Sequence, residues 1–447
     1  MAAREPVPAA AIVLAGLLLA WPAAWNGYPL VFADSGTYLG QALIGYLGWD
    51  RPPHYSLFLH LLHWRVSLWA IPVAQGLITA HLLALVLRAL ERPGPWPLLI
   101  GALGLAVATG LPWLVAQIMP DLFTGLLVLA LWLIGFGWRD LSRVERAYVM
   151  LLACGAAALH LTHLPIGLGL ALVGGIAAGR AGVAGRMAAP VLIGMIAVVA
   201  ANAAGHGRVS LSPFGAVFMG ARLLEDGPAL RTLDADCAVQ QWRVCAMRAE
   251  LPMAANYFLW LPDGPLQRLG GGKAWAAEAG EIVSRSVSRE PGTVALTVLD
   301  NAARQFVMLG TGDGLEAWRG EPGPEPIIAR FFPRELDAYA ASRQSRGLLQ
   351  GDVAQFLPLH VALAWASLFL LPMLAWVWRA RAAGALCVLV LAAALGNAAV
   401  TGGLSGVNER YQGRLAWLFV FAAGAALAAY PQGRLLVRHA VQRRDAT

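Results

Sequence analysis

The reading of this chain turns on AAAIVLAGLLLAWPAAW, from Ala9 to Trp25, and on ADSGTYLGQALIGYLGWDRPPHYSLFLHLLHW, which follows shortly after from Ala33 to Trp64. The first run is apolar enough to cross a bilayer. The second sets Asp34, Asp50, Arg51, His54, His60 and His63 close together in a chain whose charged fraction is only 13%. Ionisable groups held beside hydrocarbon are costly, so a cluster of them at one membrane face marks a candidate site. For any one of these residues alone, a solvated connecting loop is an equal reading.

Across 447 residues, 58% are hydrophobic and mean hydropathy is +0.60. The apolar runs are too long and too numerous for a soluble core. The expectation is an all-α polytopic membrane protein with about ten spans, near 8–26, 68–90, 96–114, 121–138, 146–163, 165–180, 187–205, 356–378, 382–400 and 414–431. Ala9–Trp25 reads as a retained first helix rather than a cleaved signal, because the loop after it would otherwise lose its tether. Three parts result: an N-terminal membrane module, 1–205; a mainly helical segment, 206–355; and C-terminal membrane helices with a basic tail, 356–447.

The net charge of +7 does not indicate nucleic acid. Outside 206–355 there are 18 Arg against 9 acids, and inside it 15 basic against 17 acidic residues, so the surplus belongs to the membrane part. It falls between apolar runs, at Arg88 and Arg92, Arg139, Arg143 and Arg146, Arg180 and Arg186, Arg379 and Arg381, and Arg434, Arg438, Arg443 and Arg444. The positive-inside rule then makes both termini cytoplasmic and puts 27–67, 206–355 and 401–413 on the outer side of a bacterial inner membrane, with 206–355 periplasmic. Cys237 and Cys245 lie in that segment and suit a short disulfide in an oxidising compartment. Cys154 and Cys387 lie in apolar runs.

Within the first outer loop, Tyr38, Leu39, Leu43, Ile44 and Leu47 form an apolar stripe suited to an interfacial helix. Pro52-Pro53 breaks it, and a second amphipathic helix follows from Tyr55 to Trp64. In 206–355, Pro291-Gly292 separates helical patterns at 274–289 and 293–309, and 335–349 reads as a further helix.

Candidate chemistry sits on the outer side. Asp34 is the leading general base or metal ligand, with a helix N-cap as the alternative. Asp121, after Pro120, reads more simply as a cap. Asp50 and Glu409 have Arg51 and Arg410 beside them and suit surface pairs. His160 and His163, three apart on one expected helix face, suit a ligand or substrate contact or interhelical hydrogen bonds. Arg410 and Arg414, four apart around Tyr411, would aim two guanidinium groups one way, as a phosphate requires; snorkelling is the alternative. Arg222, Glu225 and Asp226 follow the seventh run and either line a site or are solvated.

In their order these features resemble the C-type superfamily of membrane glycosyltransferases, the fold of the protein mannosyltransferases and of the lipid A aminoarabinose transferase. Asp34-Ser-Gly-Thr-Tyr38 looks like that group's first-loop acid and Tyr-bearing helix, and Arg51-Pro-Pro-His-Tyr55 like its HPPLY segment. Met119-Pro120-Asp121 looks like its "PD", Leu161-Thr162-His163-Leu164-Pro165 like its "LTKxP", and Arg410-Tyr411 like its "RY" before a late helix. The likeness covers 1–205 well and the rest loosely. Two departures stand out: no second acid adjoins Asp34, and His163 replaces a lysine. The resemblance implies a polyprenyl-phosphate sugar donor, a periplasmic acceptor and inversion at the anomeric carbon. It gives Asp34 the role of base or activator, Arg410, Tyr411 and Arg414 the lipid phosphate, and Tyr38, Arg51, His54, Asp121, His163, Arg222 and Glu225 substrate contacts. Use of a divalent metal stays open. An O-antigen ligase or polymerase is a second enzyme reading, but it would want key Arg and His residues in the large loop. A transporter or flippase of an anionic precursor is the reading from another class, and would want broken helices near the midplane.

Overall fold

A computed structural model describes residues 7–320, 323–379 and 381–429. The basic tail at Arg434, Arg438, Arg443 and Arg444, and the end of the 414–431 run, lie outside them. Among the described residues the chain is helical, and its sole β feature is an isolated parallel bridge between Leu30 and Gln117.

The membrane part is built from α1 (Ala9–Leu19), the first-loop helices α2 (Ala33–Gly40) and α3 (His54–His63), then α4 (Ala70–Ala89), α5 (Pro95–Ala108), α6 (Leu122–Trp132), α7 (Arg143–Leu159), α8 (His163–Ala178) and α9 (Ala181–His206). The insertion contributes α10 (Gly215–Asp226), α11 (Ala255–Trp260), α12 (Gly271–Arg289) and α13 (Pro291–Phe306), and the chain returns through α14 (Leu357–Val377), α15 (Ala382–Leu404) and α16 (Glu409–Ala428). Among the described residues, five helical stretches are long and apolar enough to cross a membrane: Ala70–Ala89, Leu122–Asp140, Ala181–His206, Leu357–Val377 and Ala382–Leu404. Exposed apolar side chains such as Ile176, Ile196, Phe369 and Leu395 stud the outer faces of α8, α9, α14 and α15. Water would not tolerate so extensive an apolar exterior, whereas lipid does. The chain is a multi-pass membrane protein.

Small residues bring helices together where no hydrophobic force distinguishes helix from lipid. Gly16 of α1 meets Gly76 of α4 backbone to backbone, and Gly125 of α6 accepts the Trp417 indole of α16. Gly402 and Gly403, near the end of α15, let α13 lie directly on it: a Cβ on Gly402 would come within 2.5 Å of the Asn301 carbonyl. α13 thereby ties the insertion to the membrane helices.

The insertion does not behave as one unit. From Phe214 to Val294 it has a core of its own around Trp275, Phe258, Leu266 and Val217, while Leu309, Ile328, Phe332 and Tyr339 belong to the core of the membrane part. Cys237 and Cys245 are joined in a disulfide inside the former region. The Pro291 break is as read, with Pro291 opening α13. The expected helix at 335–349 is instead two short ones, Leu336–Ala341 and Leu349–Ala354. Between them Gln344 turns inward, its side chain pairing with the backbone N–H of Val31 at 3.0 Å and its carbonyl at 2.8 Å, so the segment trades helical bonds for a tie to the first loop.

The apolar stripe of the first loop is not interfacial either. Tyr38, Leu39 and Leu43 are buried in protein, and the Glu325–Phe331 helix lies over α2. Among the stripe's residues Ile44 remains exposed. α3 does keep an outward apolar face, with Leu57 and Leu61 exposed and Trp64 beyond them.

Gly402→Leu is expected to lower apparent stability in detergent by about 1–3 kcal/mol by overpacking the α13–α15 contact. Gly396→Ala, on the same helix with nothing near its Cβ, is expected to be neutral or to stabilise by up to about 1 kcal/mol. Thermal unfolding of both variants checks the pair.

Candidate functional site

Asp34 lies in the first turn of α2. It does not cap that helix. Ser35 takes the job, its Oγ accepting the Phe32 N–H at 2.9 Å and donating to the Ile118 carbonyl at 2.9 Å. The Asp34 carboxylate is left facing cations: Arg51 Nη1 at 2.9 Å and Arg410 Nη1 at 3.8 Å. Arg51 also holds Asp50, at 2.8 Å, in a pair that is largely buried rather than on the surface. Burial alone would lower the Arg51 pKa, but the Asp34 and Asp50 charges outweigh it and hold the guanidinium above its ordinary value. Its face rests on the Tyr38 ring, 5.2 Å away.

Asp121 precedes α6 and also makes no cap bond. Its carboxylate is 3% exposed at the residue level and faces Arg410 Nε at 3.8 Å and Arg414 Nη1 at 3.5 Å. Arg414, on α16, is fully buried, and its Nη2 donates to Asn397 Oδ1 of α15 at 2.6 Å and to Thr162 Oγ1 at 3.1 Å. Arg410 stacks over Phe32 at 4.1 Å and lies near Tyr411 at 5.4 Å. Three acids and three arginines, brought from α2, the loop after it, the start of α6 and the start of α16, thus form one connected charge group.

The group is not closed. Arg410 Nη1 and Arg414 Nε are buried without a hydrogen-bond partner. An unmet guanidinium N–H is costly, so these donors stand ready for an acceptor. Behind the two arginines is a pocket lined by Trp113, Gln117, Asp313 and the glycine-rich turn Gly310-Thr311-Gly312. Glu409 is not Arg410's ion partner there. It accepts the Gly310 N–H at 2.6 Å, while Asp313 accepts the Arg410 backbone N–H at 2.9 Å, so both acids fasten the turn to the start of α16.

Other expected residues lie outside this group. His160 and His163 do not share a helix face, because α7 ends at Leu159 and α8 begins at His163. His163 is saturated, with Nδ1 donating to the Ala156 carbonyl at 2.6 Å and Nε2 accepting from Thr124 at 2.8 Å, which leaves no nitrogen for a metal or substrate. His160 supports the site at one remove, bonding Thr162 Oγ1 at 2.8 Å. His54 turns to the backbone of Ala197 on α9. His63 packs on Phe332 and His60, and burial pushes its pKa down to about 4, with the His60 and Arg65 charges adding to the shift. Arg222 is paired within the insertion, with Asp226 at 2.6 Å, Glu225 at 3.1 Å and Asn301 at 2.7 Å. It joins α10 to α13.

The carboxylates of the group are spoken for by guanidinium groups, and among the described residues no three His, Cys, Asp or Glu side chains converge as a metal cage. Carboxylates already held by guanidinium groups do not fit a protein-bound divalent ion. The group fits an anion.

Sequence reasoning missed Asn397 and Thr162 as partners of Arg414. Asn397 was detectable as a lone amide inside LVLAAALGNAAV, since a polar side chain in an apolar helix needs a partner. No protein-family model, curated protein or solved structure matches the chain.

Removing Asp121 leaves the buried Arg414 without a carboxylate and Arg410 with Asp34 alone, at 3.8 Å. Asp121→Ala is expected to cost about 3–5 kcal/mol of stability, and Asp34→Asn, at the more exposed end where Arg51 keeps Asp50, about 1 kcal/mol or less. Melting temperatures in one detergent rank the two, and equal losses would contradict this division.

Proposed function

We propose that this protein is an inverting membrane glycosyltransferase that moves a sugar from a polyprenyl-phosphate donor to an acceptor of the cell envelope. The observation that carries the reading is the pair of guanidinium N–H groups on Arg410 and Arg414 that make no hydrogen bond, set beside the partly exposed carboxylate of Asp34, 3.8 Å from Arg410. A phosphate monoester would satisfy both arginines with charge-assisted hydrogen bonds. The motif order from Asp34 to Arg410-Tyr411 supports the same reading by resemblance.

In the proposed reaction Asp34 takes the proton of an acceptor hydroxyl or amine as that atom attacks the anomeric carbon. The bond from that carbon to the phosphate oxygen breaks, and the polyprenyl phosphate leaves with the electron pair and an added negative charge. Arg410 and Arg414 stabilise that charge, and fixed cations aimed at developing charge are commonly the largest catalytic contribution. Arg51 orients Asp34. Tyr38 supports Arg51 from below, and Thr162 and Asn397 hold Arg414. His163 and Arg222 are positioning residues for helices rather than substrate contacts.

Topologically the reading has ten crossings of a bacterial inner membrane, both termini in the cytoplasm, and the site and the insertion on the periplasmic side. Arg88, Arg139, Arg143, Arg186 and Arg381 then fall on the cytoplasmic side.

Mass-spectrometric profiling of envelope lipids and glycans, in a strain lacking the gene, tests this. One species is expected to lose the mass of a single sugar, to regain it with the wild-type gene, and to stay short by at least about 100-fold with a stably expressed Asp34→Asn. An unchanged profile, or full restoration by Asp34→Asn, would sink the assignment.

A further inference from the structure

Over the mouth of the charge group lies α11, the six-residue helix Ala255–Trp260 of the insertion. Asn256 and Trp260 are four apart and therefore share a face of it. At one end of that face Asn256 Nδ2 approaches Asn408 Oδ1 at 3.4 Å, two residues before Arg410. At the other, the Trp260 ring lies 6.0 Å from the Arg51 guanidinium, the group that pairs with Asp34. One face of one short helix thus reaches Arg51 at one end and Asn408, just before α16, at the other.

Trp260 is part of an aromatic shelf. Trp49, immediately before Asp50 and Arg51, stacks on Trp260 at 5.9 Å and on Phe218 at 5.4 Å, with the planes within 27° and 26° of parallel. The shelf has been given room, since a Cβ on Gly272 would collide with the Trp49 indole. It is also held. Glu225, anchored by Arg222 at 3.1 Å, accepts the Ala255 N–H at 2.8 Å and pins the start of α11. Yet Trp260 stays open at 41% exposure, and Tyr257 of the same helix at 64%. Rigid exposed indole and phenol rings, with two amides alongside, are a surface with an apolar face and hydrogen-bonding edges.

We propose that this shelf binds a pyranose ring of the acceptor, its C–H face on Trp260 and its hydroxyls toward Asn256 and Asn408, which makes the acceptor itself a saccharide. The proposal rests on the glycosyltransferase reading for the word acceptor, and on the shelf alone for the word saccharide. A pyranose matches both halves of the surface, because its ring carbons present an apolar face and its rim presents hydroxyls. A lipid chain would match the rings alone and leave the amides and Arg51 without water, at a cost in unmet hydrogen bonds. Arg222 and Glu225 then act at one remove, through the placement of α11.

Saturation-transfer-difference NMR tests the shelf, with the full-length protein in nanodiscs and a mixture of the methyl glycosides of glucose, galactose, mannose and N-acetylglucosamine. At least one glycoside is expected to receive saturation at its ring C–H protons, at least fivefold less with Trp260→Ala and nearly as much with Trp260→Phe, whose ring is retained. Equal saturation with Trp260→Ala in a folded protein, or no saturation in the wild type, overturns the proposal. So does quenching of Trp260 fluorescence by brominated lipid chains, read as the wild type minus Trp260→Phe, because that puts the shelf in the bilayer. Undecaprenyl-phosphate binding on the same wild-type sample separates the two readings. Glycoside without lipid-phosphate binding supports the shelf and overturns the transferase, and lipid-phosphate without glycoside binding does the reverse.

Discussion

Arg414 and Asp121, charged groups buried at 1% and 3% exposure where the ends of α6, α8, α15 and α16 meet, are the constraint on which the rest depends. A guanidinium taken out of water must recover its solvation from neighbours. Arg414 does so through Asn397, Thr162 and Asp121, each from a different part of the chain. Forming that set fixes the relative height of the helices that supply it. The contact with Asp121 is long, and one nitrogen of Arg414 remains unmet. Such incomplete satisfaction in an otherwise well-packed bundle is what a binding site costs.

The same constraint explains how the insertion is attached. α13 lies on α15 because Gly402 and Gly403 remove the side chains that would hold it off, and its Gln305 bonds the Asn408 backbone just before α16. The turn after it is then clamped by Glu409 and Asp313, the acids that flank Arg410 in space. On the other side Trp49 carries the first loop into the insertion's own core. The insertion is thus sewn to the site on two sides, so that a change in α11 or in the glycine-rich turn acts on the arginines directly.

Much of this was legible in the chain. Long apolar runs with arginines between them specify a helical membrane protein, because every backbone group in hydrocarbon must be paired internally. Asp34, Asp121, Arg410 and Arg414 stand out as ionisable groups at the ends of such runs, and they come together in space. Distant pairing was harder to see. Asp50 next to Arg51 suggested a local surface pair, whereas Arg51 reaches beyond it to Asp34. Glu409 beside Arg410 likewise suggested an ion pair, but the backbone of Gly310 claims it. Helical spacing would put His160 and His163 on one face, but a helix break separates them. The stripe from Tyr38 to Leu47 suits an interfacial helix because apolar periodicity does not distinguish a membrane surface from the protein that covers much of it here, the Glu325–Phe331 helix.

The central claim is that Arg410 and Arg414 present an open anion site to a lipid phosphate. Its most direct test is equilibrium binding of undecaprenyl phosphate to the protein in nanodiscs, wild type against Arg410→Ala. Arg410 is the cleaner choice, because Arg414 also holds helices together. The account predicts saturable binding that weakens at least tenfold in Arg410→Ala, a loss of about 1.4 kcal/mol or more, with the melting temperature little changed. Absence of saturable binding, or equal affinity in the two proteins, would contradict it.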